Sequence, residues 1–157
     1  MYRRGGKRTL DLLLAIPALI LLSPLMGLIA VAIRLDSPGP VFFRQERLGR
    51  DGKIFRVLKF RSMVVDATNG MVKDAMTDPR VTRVGTLIRR WSLDELPQFV
   101  NVLRGEMSLV GPRPDRVFRL PEYTERRKRR LLVKPGITGL AQVNGRNVIP
   151  WEKRYEL

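Results

Sequence analysis

Asp94 and Glu95 stand side by side in the stretch SLDELPQ, in a chain that has no histidine and no cysteine. Imidazole and thiol chemistry are therefore excluded, and with them Ser-His-Asp and Cys-His catalysis and any His- or Cys-ligated metal. Acid–base and nucleophilic work falls to carboxylates, lysine, tyrosine, serine or threonine. Two kinds of chemistry suit a carboxylate pair in this setting. One is attack on phosphorus, as in aspartyl-phosphate enzymes. The other is Mg²⁺ ligation, which typically uses one or two carboxylates plus substrate phosphates. Arg89 and Arg90 upstream, and Arg113 in the turn Gly111-Pro112-Arg113-Pro114, supply forked donors that match phosphate oxygens. Adjacent helical residues point about 100° apart, so the two acids can take different roles rather than share a proton.

A plainer reading stands beside this one. Ser92 and Glu95 have the spacing of a capping box, in which Ser92 caps the N3 amide and Glu95 reaches back. Asp94 then adds a favourable interaction with the helix dipole, and Pro97 is close enough to the helix start to be tolerated. Leu96, Phe99, Val100 and Leu103 recur at helical spacing, with Gly105 as a stop, so SLDE reads as a helix start.

The elements that must hold this pair follow from the surrounding pattern. RVTRVGTLIRRW places Val81, Val84, Leu87, Ile88 and Trp91 on one helical stripe, with Arg83, Arg89 and Arg90 projecting from it. VFFRQERLG and KIFRVLKFRSM flank Asp51-Gly52, which predicts a β-hairpin. Its basic residues alternate with Phe42, Phe43, Phe55 and Phe60. That suits a membrane interface or phosphates, and equally a half-exposed hairpin with a charged outer face. Met107 to Val110 reads as a short buried strand. Pro121 opens a further helix, with Glu122 and Glu125 early and Arg126 to Arg130 late, as the dipole favours. Such a basic run also grips anionic headgroups. Lys134-Pro135-Gly136-Ile137-Thr138-Gly139 and Asn144-Gly145-Arg146 read as turns, and residues 66–77 as a polar loop or short helix.

The charge balance is 30 Lys+Arg against 15 Asp+Glu, net +15 over 157 residues. The length fits one compact domain, and the charge implies a polyanionic partner: nucleic acid, an anionic membrane or a phosphorylated substrate. No helix-turn-helix, zinc-finger or RNP-type motif supports nucleic acid. Leu12 to Ile33 carries no charge, and roughly 22 residues at about 1.5 Å each span a bilayer core. Basic residues flank both ends of this run, whereas the positive-inside rule wants both flanks on the cytoplasmic side. Ser23-Pro24 lies mid-run, where proline bends or breaks a helix and serine can bond the freed carbonyl. A re-entrant segment and a kinked spanning helix both fit these residues. A cleaved signal peptide fits less well, because the apolar run is longer than such peptides use.

DPRVTRVGTLIRRWSLDELPQFVNVLRGEMSLVGPRP, followed by VKPGITGLAQVNGRN, resembles the bacterial sugar transferases, the monotopic phosphoglycosyl transferases. KFRSM and the Ser-Pro-broken apolar helix match as well, so the resemblance runs from about residue 5 to the end. It implies an α+β, mainly helical chain. The parts expected are an N-terminal re-entrant membrane helix broken at Ser23-Pro24 (residues 1–36 with the basic leader), a β-hairpin, and several short amphipathic, interfacial helices. The resemblance places residues 37–157 as a catalytic domain on the cytoplasmic face of the bacterial inner membrane.

The resemblance further implies transfer of a sugar 1-phosphate from a UDP-sugar to polyprenol phosphate, usually undecaprenyl phosphate, with release of UMP. This step begins assembly of a surface glycan. Asp94 attacks the β-phosphate and forms a covalent phosphosugar, Glu95 assists, and Mg²⁺ held at Asp94 and Glu95 neutralises the diphosphate. Arg89 and Arg113 hold phosphate. Lys59, Arg61, Pro114 and Arg146 are further substrate-binding candidates. Anionic lipids are partners, and nucleic acid is not. Family members continue past WEKRYEL into an apolar, helical tail, and the short basic leader resembles the minimal catalytic form of the family.

Overall fold

The computed structural model describes residues 4–65 and 78–144. It is mainly helical, with two small two-stranded sheets. Helix α1 (Arg4–Asp36) covers 33 residues, about 50 Å at the usual rise. By length and composition it can cross a membrane. The expected break at Ser23-Pro24 is not an interruption of secondary structure, because α1 runs through both residues. The reason is local. Pro24 has no N–H to give the Ile20 carbonyl, and the Ser23 hydroxyl donates to that carbonyl at 2.7 Å instead.

The remaining elements, in order, are β1 (Phe42–Leu48), β2 (Ile54–Phe60), α2 (Arg83–Arg90), α3 (Gln98–Leu103), β3 (Ser108–Val110), α4 (Glu125–Lys128), β4 (Gly136–Thr138) and α5 (Leu140–Val143). Strands β1 and β2 form the expected hairpin. Asp51 and Gly52 both take left-handed φ, 57° and 75°, which is why Asp-Gly serves this turn. The chain divides into two compact units: residues 1–17, 45–57 and 98–157, and residues 18–44 and 58–97.

The first unit packs Ala15, Phe55, Val57, Val102 and Met107 into one buried cluster, with Phe99, Leu103, Leu109 and Ile137 against it. The start of α1 is tied in by polar groups. The buried Asp11 carboxylate accepts from the Ser108 hydroxyl at 3.0 Å and the Leu109 amide at 3.1 Å, and Lys7 donates to Ser108. Arg8 donates to the Val102 and Leu103 carbonyls that end α3, at 2.5 and 2.8 Å. The leader's cations thus serve the fold here, besides any role as a membrane flank.

Strand β3 is the strand expected from Met107 to Val110, and it pairs in parallel with β4, Ser108 opposite Gly136 and Val110 opposite Thr138. Gly136 was expected in a turn and is instead in a strand. The approach is close: a Cβ on Gly136 would sit 2.1 Å from the Gly111 nitrogen. Only glycine permits that passage. Helix α3 ends as expected, with Gly105 at φ 79°. The helix expected from Pro121 begins later. Pro121 and Glu122 belong to a 3₁₀ turn (Val117–Glu122), and Thr124 caps α4, its hydroxyl accepting from the Arg127 amide at 3.3 Å. Glu125 still leads and Arg126 to Lys128 still follow, as the dipole favours.

In the second unit, Ile29 and Ile33 of α1, Phe60 and Ile88 form the buried cluster. Met26, Ala30, Val41, Val84, Leu93 and Leu96 pack on it. Phe42 stacks on Phe60 with centroids 5.5 Å apart. The apolar stripe expected on α2 is buried only in part: Ile88 is inside, whereas Leu87 and Trp91 are exposed.

Candidate active site

Asp94 and Glu95 lie in a 3₁₀ turn (Leu93–Glu95), not at the start of an α-helix, since α3 begins only after Pro97. The expected capping box is not formed either. Ser92 precedes the turn in the left-handed region, φ 58° and ψ 23°, and its side chain makes no capping bond. Its carbonyl accepts from the Glu95 amide at 3.2 Å. Tertiary packing overrides the local signal, because Leu93 and Leu96 reach into the Ile29–Ile33–Phe60–Ile88 cluster and pin the turn between them. A non-glycine residue held in this conformation is strained, a feature that clusters at functional sites.

The partner of Glu95 is Lys59 of β2. Its ammonium lies 2.7 Å from Glu95 Oε1 and 3.9 Å from Asp94 Oδ2. All three side chains are largely covered, at 18% exposure for Lys59, 14% for Asp94 and 11% for Glu95. Lys59 was expected to bind phosphate, and here it is the cation of the acid pair. It treats the two acids unequally, with a charge-assisted hydrogen bond to Glu95 and only an ionic contact to Asp94.

Arg89, in the last turn of α2, donates from Nε to the Ser62 hydroxyl at 2.8 Å. Burial pulls its guanidinium below the usual value, and the negative charges of Asp94 and Asp78 oppose that shift. It remains a cation at neutral pH, within electrostatic reach of Asp94. Asp78 itself is held at about 2, chiefly by hydrogen bonds from Arg80, whose Nε and Nη2 grip both carboxylate oxygens at 2.9 and 2.7 Å.

Arg61 is held largely by backbone. Its side chain is buried, and its guanidinium donates to the carbonyls of Ser37 (2.7 Å) and Pro38, in the chain leaving α1. The expectation that it binds substrate thus meets a guanidinium already donating to two backbone carbonyls. Lys59 and Arg61 flank the buried Phe60, and strict alternation would put both on one face; Arg61 lies just beyond β2 and meets different partners.

Arg113 and Pro114 belong to the first unit. The Arg113 residue is exposed, and its carbonyl accepts from Arg130 at 3.1 Å; the Pro114 carbonyl accepts from Arg47 at 3.3 Å. Arg146 lies outside the described residues. Sequence reasoning missed Ser62, which anchors Arg89, and Asp36, whose Oδ2 accepts from the Val84 amide at 2.9 Å. Neither has a local signal, since each acts across a long stretch of chain.

An apolar helix long enough for a bilayer, a small α+β body and a covered pair of acids among cations define a class of membrane-type protein with an anionic site in a basic frame. The chain belongs to the bacterial sugar transferase family, whose model matches residues 2–157. It is 54% identical, over 143 residues, to the UDP-glucose:undecaprenyl-phosphate glucose-1-phosphate transferase of Escherichia coli K12, covering 88% of this chain and 31% of that protein. It is 49% identical to the uncharacterized sugar transferase EpsL of Bacillus subtilis, covering 96% and 74%. The UDP-N-acetylgalactosamine-undecaprenyl-phosphate N-acetylgalactosaminephosphotransferase of Aeromonas hydrophila is 49% identical, covering 87% and 33%. The chain thus spans about a third of the length of the first and third of these relatives.

Proposed function

We propose that this chain is a phosphoglycosyl transferase unit that moves a sugar 1-phosphate from a UDP-sugar to a polyprenol phosphate and releases UMP. The names of the Escherichia coli and Aeromonas relatives support the substrate classes. One observation carries the division of labour within the pair: Lys59 hydrogen-bonds Glu95 at 2.7 Å but stands 3.9 Å from Asp94. In this reading Asp94 is the nucleophile. An Asp94 oxygen bonds to the β-phosphorus, the bond from that phosphorus to the bridging oxygen breaks, and UMP leaves with the electron pair. An oxygen of the polyprenol phosphate then attacks the same phosphorus, and Asp94 departs as carboxylate. Glu95, tied to Lys59, positions the turn. Arg89 and Lys59 offset charge gathering on the phosphoryl oxygens, where placement and electrostatics supply most of the catalysis.

The donor set fits Mg²⁺. Among the described residues there is no cluster of three or more acids that could cage a metal, and Mg²⁺ commonly takes one or two carboxylates with water and substrate phosphates. Asp94 and Glu95 would hold it, and when bound it would neutralise the diphosphate.

For α1, a bend at Ser23-Pro24 would return the helix to the leaflet it entered, with both basic flanks on the cytoplasmic side. The bond from Ser23 to the Ile20 carbonyl supports this by keeping that carbonyl satisfied in lipid. The exposed Arg126, Lys128 and Arg129 would then meet anionic headgroups.

The test is UMP release from a panel of UDP-sugars without lipid. A stoichiometric burst, with phosphosugar found on Asp94 by mass spectrometry, is expected, and Asp94→Asn should abolish both while leaving the thermal midpoint in place. Release of UMP only when polyprenol phosphate is present would rule out the covalent route.

A further inference from the structure

Helix α2 is a strut with the acid pair at one end. Its first turn has two capped amides. The Thr82 hydroxyl accepts from Gly85 at 2.9 Å, and the Asp36 carboxylate accepts from Val84 at 2.9 Å. Asp36 is the last residue of α1, 48 positions away from Val84, so the cap at the second amide comes from the apolar helix. Its negative charge also sits at the positive end of the α2 dipole.

The body of α2 lies flush on the chain leaving β2. A Cβ on Gly85 would stand 2.1 Å from the Ser62 carbonyl oxygen, so no side chain separates the two. Ser62 touches both ends of the helix: its carbonyl accepts from the Thr82 amide at 3.2 Å and its hydroxyl from Arg89 at 2.8 Å. At the far end, the Arg89 carbonyl accepts from the Ser92 amide at 3.1 Å, and the acid turn follows at once. The end of α1 is fixed in its turn by Arg61, which holds the Ser37 and Pro38 carbonyls, and by Arg34, which donates to the Gly39 carbonyl at 2.5 Å.

We infer that Asp36 is a positioning residue for the acid pair: it couples the end of the apolar helix, through α2, to the turn that carries Asp94 and Glu95. Placement of α1 in the membrane thereby sets the placement of the nucleophile. The catalytic consequence rests on the function proposed above, whereas the coupling itself does not.

The test uses the full chain in lipid nanodiscs, with amide hydrogen exchange at Val84 and at Glu95 and Leu96 in the wild type, Asp36→Ala and Asp36→Asn. Loss of the cap should speed Val84 exchange roughly tenfold, the scale of a lost helix cap. Coupling requires Glu95 and Leu96 to speed up with it, while amides of β1 and β2 stay put. Asp36→Asn, which keeps an oxygen acceptor, should recover most of the protection. With UDP-glucose as probe, kcat should fall in Asp36→Ala while KM holds. Faster exchange at Val84 with unchanged Glu95 and Leu96 makes Asp36 a local cap only and overturns the proposal, as does no change at Val84. If Asp36→Ala does not fold, Asp36→Leu, which also removes the acceptor, decides by the same criterion, because the three amides must move together. Absence of UMP release in the wild type with any UDP-sugar would sink the proposed reaction and leave the exchange result standing.

Discussion

Two sets of cations in this chain are built from the same residue types and do opposite things. In the second unit, Lys59, Arg61 and Arg89 are covered, and each has a named partner: Glu95, the Ser37 and Pro38 carbonyls, and Ser62. In the first unit, Arg126 and Arg129 stand in water on α4 and the turn after it, beside Lys128, which pairs with the exposed Glu125 at 2.7 Å. A cation removed from water is costly unless its donors are met, so the first set is fixed in geometry. An exposed cation acts through the summed field, so the second set is fixed only in sign. The excess of +15 is therefore not one property. Part of it organises an acid site, and part remains available to a surface.

The sharpest way to break this contrast is Lys59→Met. It leaves Glu95 covered without its 2.7 Å partner and sets two acids side by side. Transfer should fall on the order of a hundredfold or more, the scale of a lost electrostatic contact at a reacting centre. Lys59→Arg should recover part of it, as read by UMP-release rates. Next in size is Arg61→Met, which strands two carbonyls and should destabilise the fold by about 1–3 kcal/mol in denaturant melts. A raised KM with unchanged stability would instead return Arg61 to the substrate. The smallest effect belongs to the exposed set. Arg126→Gln with Arg129→Gln should weaken binding to anionic vesicles by about 1 kcal/mol per charge, and leave stability within about 0.5 kcal/mol. A melt that drops further would mean these side chains are structural after all.

What the sequence discloses divides along the same line. The apolar helix, the Asp-Gly hairpin and the Gly105 stop of α3 depend on near neighbours, and all three are where the residues say. The acid pair stands out in the sequence as a candidate, since the lack of histidine and cysteine leaves few others. Its frame is not legible. Ser92-x-x-Glu95 has capping spacing, yet Leu93 and Leu96 drive the turn into a core and Glu95 turns to Lys59. Strand β4 has only Gly136-Ile137-Thr138 to announce it, and its partner is β3, 28 residues upstream in register. Arginines can be counted from sequence, but whether one meets water or a carbonyl depends on chain that is distant in sequence.

The buried Asp11 has a consequence in time. Its hydrogen-bond partner Ser108 is 97 residues further along the chain. At about 5–20 residues per second, the ribosome takes about 5–20 s to supply it. Throughout that interval Asp11 has only local partners such as Lys7, one helical turn away. The burial of that acid therefore waits on β3, because a carboxylate resists leaving water until its donors are present. The same carboxylate, once Ser108 and Leu109 arrive, becomes the pin that joins the helix to the newly folded body.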